Sequence, residues 1–63
     1  EIRVLEDALA RSPRLGVIAV RLGRAYLETG NSERGLSLVR EGLSLPIDAA
    51  TRELAAGLIR PRN

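Results

Sequence analysis

The sequence predicts an all-α fold: about four short helices paired as antiparallel hairpins. Three observations predict it. Apolar residues recur at helical spacing, helix breakers stand between those stretches at Ser12-Pro13, Gly30-Asn31 and Pro46, and no alternating run of β-branched residues marks a strand.

The first helix is expected from about Ile2 to Arg11, because Ile2, Leu5, Ala8 and Leu9 form one apolar stripe. Ser12 suits an N-cap and Pro13 a first helical turn, so a second helix is expected from Pro13 to about Thr29. Gly30 is free to take positive φ after that helix, and Asn31 stands where it can cap the next one. So short a connection forces an antiparallel hairpin. The third helix, about Ser32 to Ser44, places Leu36, Val39 and Leu43 on one face. Gly35 and Gly42 lie inside it, each costing about 1 kcal/mol relative to Ala, which calls for a packing reason such as close approach of another helix. Asp48 can cap a fourth helix running through Ile59, with Leu54, Ala55 and Leu58 inside it and Pro61 as its stop.

Composition narrows the function classes. The chain has 63 residues and neither Cys nor His, so disulfides, thiolate nucleophiles, imidazole bases and zinc-finger spacings are all missing. The remaining acids fall at helix ends or on polar faces, and the adjacent pair Glu6-Asp7 turns to different sides of a helix. No catalytic, cofactor-binding or metal site is expected, and the chain reads as a non-enzyme. All ten basic residues are Arg, a usage that fits a GC-rich coding sequence, and eight acids nearly balance them to a net charge of +2. No apolar stretch approaches the roughly 20 residues that cross a bilayer. At roughly 0.05–0.15 kcal/mol per residue the stability to be expected is about 3–9 kcal/mol.

An internal repeat organises the chain. Val4-Leu5-Glu6-Asp7-Ala8-Leu9 matches Leu38-Val39-Arg40-Glu41-Gly42-Leu43 at an offset of 34, and Pro13 matches Pro46 at 33. Beyond the prolines, Leu22-Gly23-Arg24-Ala25-Tyr26 lies over Ala55-Ala56-Gly57-Leu58-Ile59. Small residues at Gly23, Gly35 and Gly42 let paired helices approach, and large ones at Leu22, Tyr26 and Val39 fill the gaps between them. This period and the run Leu22-Gly23, Tyr26, Gly30-Asn31, Gly35, Val39, Gly42, Pro46 resemble the tetratricopeptide repeat (TPR) family. The departures are Ala19 where that family carries Trp or Leu, and Gly35 and Gly42 where it carries Ala; they point to related two-helix repeats of the Sel1-like kind as the second resemblance.

The resemblance implies a right-handed solenoid fragment forming one domain. Residues 1–12 would be the second helix of a preceding repeat, 13–45 a full hairpin, and 46–60 the first or capping helix of the next. Glu1-Ile2-Arg3 enters a helical pattern with no capping residue. The sequence therefore reads either as cut from a longer array or as self-associating through its terminal helices. The resemblance also implies a protein-binding scaffold of a bacterial-type multiprotein assembly, with a concave groove formed by first helices. Its groove positions here are Val17, Val20, Arg24 and Leu27, joined by Ala50, Glu53, Gly57 and Arg60. A subgroup of the family clamps a peptide's terminal carboxylate with Lys and Asn at the positions of Val20 and Arg24, so that clamp is missing. An apolar-acidic peptide or helix is the expected ligand, with Arg24 contacting a carboxylate; the plainer reading of Arg24 is a solvated face paired with Glu28. Tyr26 is expected in the core. Two other readings stand beside this one: a homodimer built on exposed terminal-helix faces, and nucleic-acid binding by Arg14, Arg21 and Arg24 with Arg11, Arg60 and Arg62. The second is disfavoured by nearby acids and the lack of stacking aromatics. Membrane insertion is not expected.

Overall fold

The computed structural model describes residues 2–60. They form α1 (Ile2–Arg11), α2 (Gly16–Glu28), α3 (Ser32–Leu43) and α4 (Ala49–Ile59), with no strand among the described residues. Glu1, the stop at Pro61 and the basic contribution of Arg62 lie outside those residues.

One helix start differs from expectation. Ser12 does not cap α2: its N–H donates to the carbonyl of Ala8 at 2.9 Å and completes the last turn of α1. Pro13 and Arg14 then form a turn closed by Leu15 N–H on the Ser12 carbonyl at 3.1 Å. Leu15 takes extended backbone, and α2 begins at Gly16 with no side-chain cap. Asn31 likewise makes no side-chain cap; its carbonyl accepts from Gly35 N–H at 3.0 Å.

The other signals act as their chemistry requires. Gly30 has φ of 92°, and Asn31 N–H donates to Tyr26 O at 2.8 Å while Gly30 N–H donates to Leu27 O at 3.2 Å. This paired closure, a Schellman motif, ends α2 and turns the chain back. Asp48 caps α4: its Oδ1 accepts from Thr51 N–H at 3.1 Å.

The α2–α3 hairpin is held at two glycine crossings. A methyl group built on Gly23 would sit 2.6 Å from the carbonyl oxygen of Gly35, and one on Gly35 would sit 2.8 Å from that of Gly23. Gly16 and Gly42 face each other in the same reciprocal way, each 2.8 Å from the other's oxygen by the same construction. The position numbers of both pairs share one sum, as an antiparallel register demands, and the crossings fall about two helical turns apart. Backbone thus meets backbone where a side chain would hold the helices apart.

α2 is the centre of the molecule: it packs against α1, α3 and α4, α3 also packs on α4, and α1 packs on α2 alone. Val20, Val39 and Ala55 form the core between α2, α3 and α4, with Leu27, Leu43, Leu54, Leu58 and Ile59 around them. On the other side of α2, Leu22 and Leu38 are buried towards α1. Leu38 is only 1% exposed although Leu36 was the residue expected on the buried face with Val39 and Leu43; Leu36 is half-buried. The buried arc of α3 is wider than one stripe because its neighbours lie on more than one side.

Tyr26 is half-buried, short of the full core position expected for it. Its hydroxyl donates to Glu6 Oε2 on α1, and the guanidinium carbon of Arg34 lies 5.9 Å from its ring centroid. The ring therefore ties α1 and α3 to α2, with its polar tip in solvent.

Candidate functional site

Because α2 is flanked by α1, α3 and α4, only a narrow strip of it reaches solvent. Arg21, Arg24 and Glu28 are the exposed residues of that strip, placed one helical turn after another. Leu5 of α1 borders the strip on one side and Leu54 of α4 on the other, and with Ala25 these residues line a cleft of about 460 Å³. It is half apolar and half charged. Arg24 Nε lies 3.3 Å from Glu28 Oε2, an exposed pair one turn apart that contributes little to stability. Arg21 belongs to no ion pair among the described residues. Asp48 is held below its ordinary value mainly by accepting hydrogen bonds from Thr51, with the positive field of Arg21 a smaller contribution.

The residues expected to form one groove are divided among three places. Arg24 lies in the cleft just described. Val20 is fully buried against Val39 and Ala55, so no ligand reaches it in the folded chain. Val17 is half-buried, and Leu27 packs on the core and lies over Gly35 of α3. Glu53, Gly57 and Arg60 line a separate hollow of about 560 Å³ on the outer side of α4, with Arg52 and Ala56, while Ala50 is exposed. The open strip of α2 is thus rotated from the expected one by roughly 50° about the helix axis, at about 100° per residue.

Leu5, Arg21, Ala25, Glu28 and Leu54 were not anticipated as cleft residues. A signal for part of the set was present: Arg21, Arg24 and Glu28 are the charged positions of an otherwise largely apolar helix and share one side. That strip is where such a helix faces water.

A second cleft, of about 380 Å³, opens between α1 and α3 on the other side of α1. Tyr26 closes one end of its surroundings through Glu6 and Arg34. Accepting that hydrogen bond, Glu6 pushes the Tyr26 phenol above its ordinary value of 10.0.

Among the described residues, no group of three or more acids, His or Cys is arranged to hold a metal, and no helix is long and apolar enough to cross a membrane. What the clefts offer chemically is recognition: guanidinium groups for carboxylates, set beside aliphatic surface. No protein-family model, curated protein or solved structure matches the chain.

Proposed function

We propose that this chain is a protein-interaction module that takes an acidic, apolar segment of a partner protein in the cleft between α1, α2 and α4. The observation that carries the reading is the placement of Arg21 and Arg24 between Leu5 and Leu54 in a concavity of about 460 Å³. That volume falls in the range of specific ligand sites, roughly 300–1,000 Å³, and the mixture of aliphatic wall and guanidinium suits a helix or extended peptide with carboxylates flanked by large apolar residues. The TPR-like reading supports a protein-binding module, since the glycine-crossed hairpin and the repeat near 34 residues fit a solenoid unit of a scaffold, but of the groove positions it implies only Arg24 lies in this cleft.

The test is selection of binders from a displayed random-peptide library on the full chain, followed by the Arg21→Glu/Arg24→Glu variant. Enriched peptides should pair Asp or Glu with Leu, Ile or Phe, and the variant should lose them by tenfold or more while its helical circular dichroism is unchanged. Failure to enrich any sequence, or undiminished binding by the variant, would refute the reading.

A second reading, self-association through α1, rests on a separate observation. α1 has no fully buried residue, and its Val4 is 69% exposed whereas Leu38, the repeat-equivalent residue of α3, is 1% exposed. The outer side of α4 is polar, with Arg52, Glu53 and Arg60. An apolar face at one end alone favours a closed two-fold dimer over a head-to-tail filament. Sedimentation at micromolar concentration decides it: a monomer that Val4→Glu leaves unchanged would end this reading.

A further inference from the structure

The four helices are not held alike. α2, α3 and α4 each pack on the other two, and their shared core of Val20, Val39 and Ala55 takes no residue from α1. α1 packs on α2 alone and has no fully buried residue of its own. Among the described residues, one side-chain hydrogen bond ties it to the rest, from the Tyr26 hydroxyl to Glu6, because its ion pair, Asp7 with Arg11, lies within the helix. Its connection to α2 is equally light: one backbone hydrogen bond, Leu15 N–H to the Ser12 carbonyl, closes residues 12–15. α4 is joined by a connection of similar length, residues 44–48, yet it packs on two helices and supplies Ala55 to the core.

This light attachment matters to the clefts, because α1 is one wall of both. It supplies Leu5 to the cleft of Arg21 and Arg24, and Glu6 and Leu9 to the one between α1 and α3. We propose that α1 is a hinged wall: it detaches as one unit about residues 12–15 while α2, α3 and α4 stay folded, and its return completes both clefts. Opening uncovers Leu22 and Leu38, which are buried towards it, so the closed state is favoured and the open state is a minor one. A helix of ten residues does not hold its hydrogen bonds alone in water, so the detached α1 loses them together. A ligand that binds the closed form alone suppresses such an opening. A segment held between Leu5 and Leu54 has that selectivity; this consequence rests on the reading of the α1–α2–α4 cleft proposed above, whereas the hinge itself does not.

Native-state hydrogen exchange on the full 63-residue chain, ¹⁵N-labelled, tests the hinge. The amides of Ala8, Leu9, Ala10 and Ser12 should share one opening constant, larger than that of Leu22 and Val39 by about tenfold or more. Two substitutions separate this from unfolding of the whole chain. Tyr26→Phe removes the tie to Glu6 and should speed α1 exchange about fivefold. Gly57→Ala strengthens α4 and should slow exchange at Leu22 and Val39 about fourfold while leaving the α1 amides unchanged. One opening constant for all four helices, a gradient of protection along α1 that marks fraying from its first turn, or α1 amides that Gly57→Ala also slows would each overturn the hinge, whatever the clefts bind. A peptide selected on the α1–α2–α4 cleft, added at about ten times its dissociation constant, should slow α1 exchange about tenfold. A peptide that binds there and leaves α1 exchange unchanged would overturn the coupling.

Discussion

Replacing glycine by alanine at Gly23 and at Gly57 should move stability in opposite directions, although both residues lie inside helices. In an open helix the change gains about 0.8–1 kcal/mol, because alanine loses less backbone freedom on folding. Gly57 is in that situation, since an added methyl would have nothing within 4 Å of it. At Gly23 the methyl would lie 2.6 Å from the carbonyl oxygen of Gly35, roughly 0.8 Å inside ordinary contact. The Val39 side chain, 2.7 Å away, is buried and β-branched and so held in one helical rotamer, and the Gly35 carbonyl and the Val39 backbone nitrogen at 3.0 Å are fixed by their helix. Forced overpacking costs about 1–3 kcal/mol, so after the helix gain the net loss should be about 1 kcal/mol. For a domain of this size 1 kcal/mol moves the thermal midpoint by about 4–8 °C. Melting followed by circular dichroism should therefore show Gly57→Ala raised by about that amount and Gly23→Ala lowered by as much or more. Midpoints that move in the same direction would refute the claim that α2 and α3 touch backbone to backbone.

Three further outcomes follow from the packing and the caps. Val20→Asp should unfold the chain, because it puts a carboxylate into the closed core of Val20, Val39 and Ala55; a retained helical spectrum would show instead that Val20 reaches solvent. Asp48 has a folded pKa held below 3.8, principally by Thr51, so its contribution to stability is present above that value and disappears as pH falls through the lower folded value. Asp48→Ala should lower the midpoint by a few degrees at pH 7 and flatten the acid limb of midpoint against pH. Tyr26 has the opposite sign: its pKa is raised above 10.0, chiefly by the hydrogen bond to Glu6, so its contribution holds below 10.0 and fades as pH rises through the folded value. Absorbance titration of the phenol should give a midpoint above 10.0, and Tyr26→Phe should remove the corresponding alkaline loss of stability.

Much of the fold was legible because it is recorded in local chemistry. Breakers at Pro13, Gly30 and Pro46 separate the helices, Gly30 takes the positive φ that its place requires, and Asp48 caps α4 through Thr51. The close approach at Gly35 and Gly42 was legible too, since glycine inside a helix is costly unless another backbone needs the space. The start of α2 was not. Ser12 and Pro13 carry a good local start signal, yet the Ser12 carbonyl closes a turn with Leu15 N–H, and the helix begins where Gly16 meets Gly42. The cleft was legible only in part. Arg24 and its pairing with Glu28 follow from spacing on one helix, whereas Leu5 and Leu54 come from helices on either side.

The sequence by itself determined the all-α class, the helix count, the hairpin turn and the small residues that allow α2 and α3 to touch, because each depends on spacing and conformational preference within one stretch of chain. The tertiary structure decided which strip of α2 faces water. That helix is apolar on several sides, so its own residues do not say which neighbour covers which side. Packing by α1, α3 and α4 buries Val20, places Leu27 over Gly35, and leaves Arg21, Arg24 and Glu28 as the open floor of a cleft. Exposure belongs to the assembled helices, since whether a residue meets water depends on where the neighbouring helices lie.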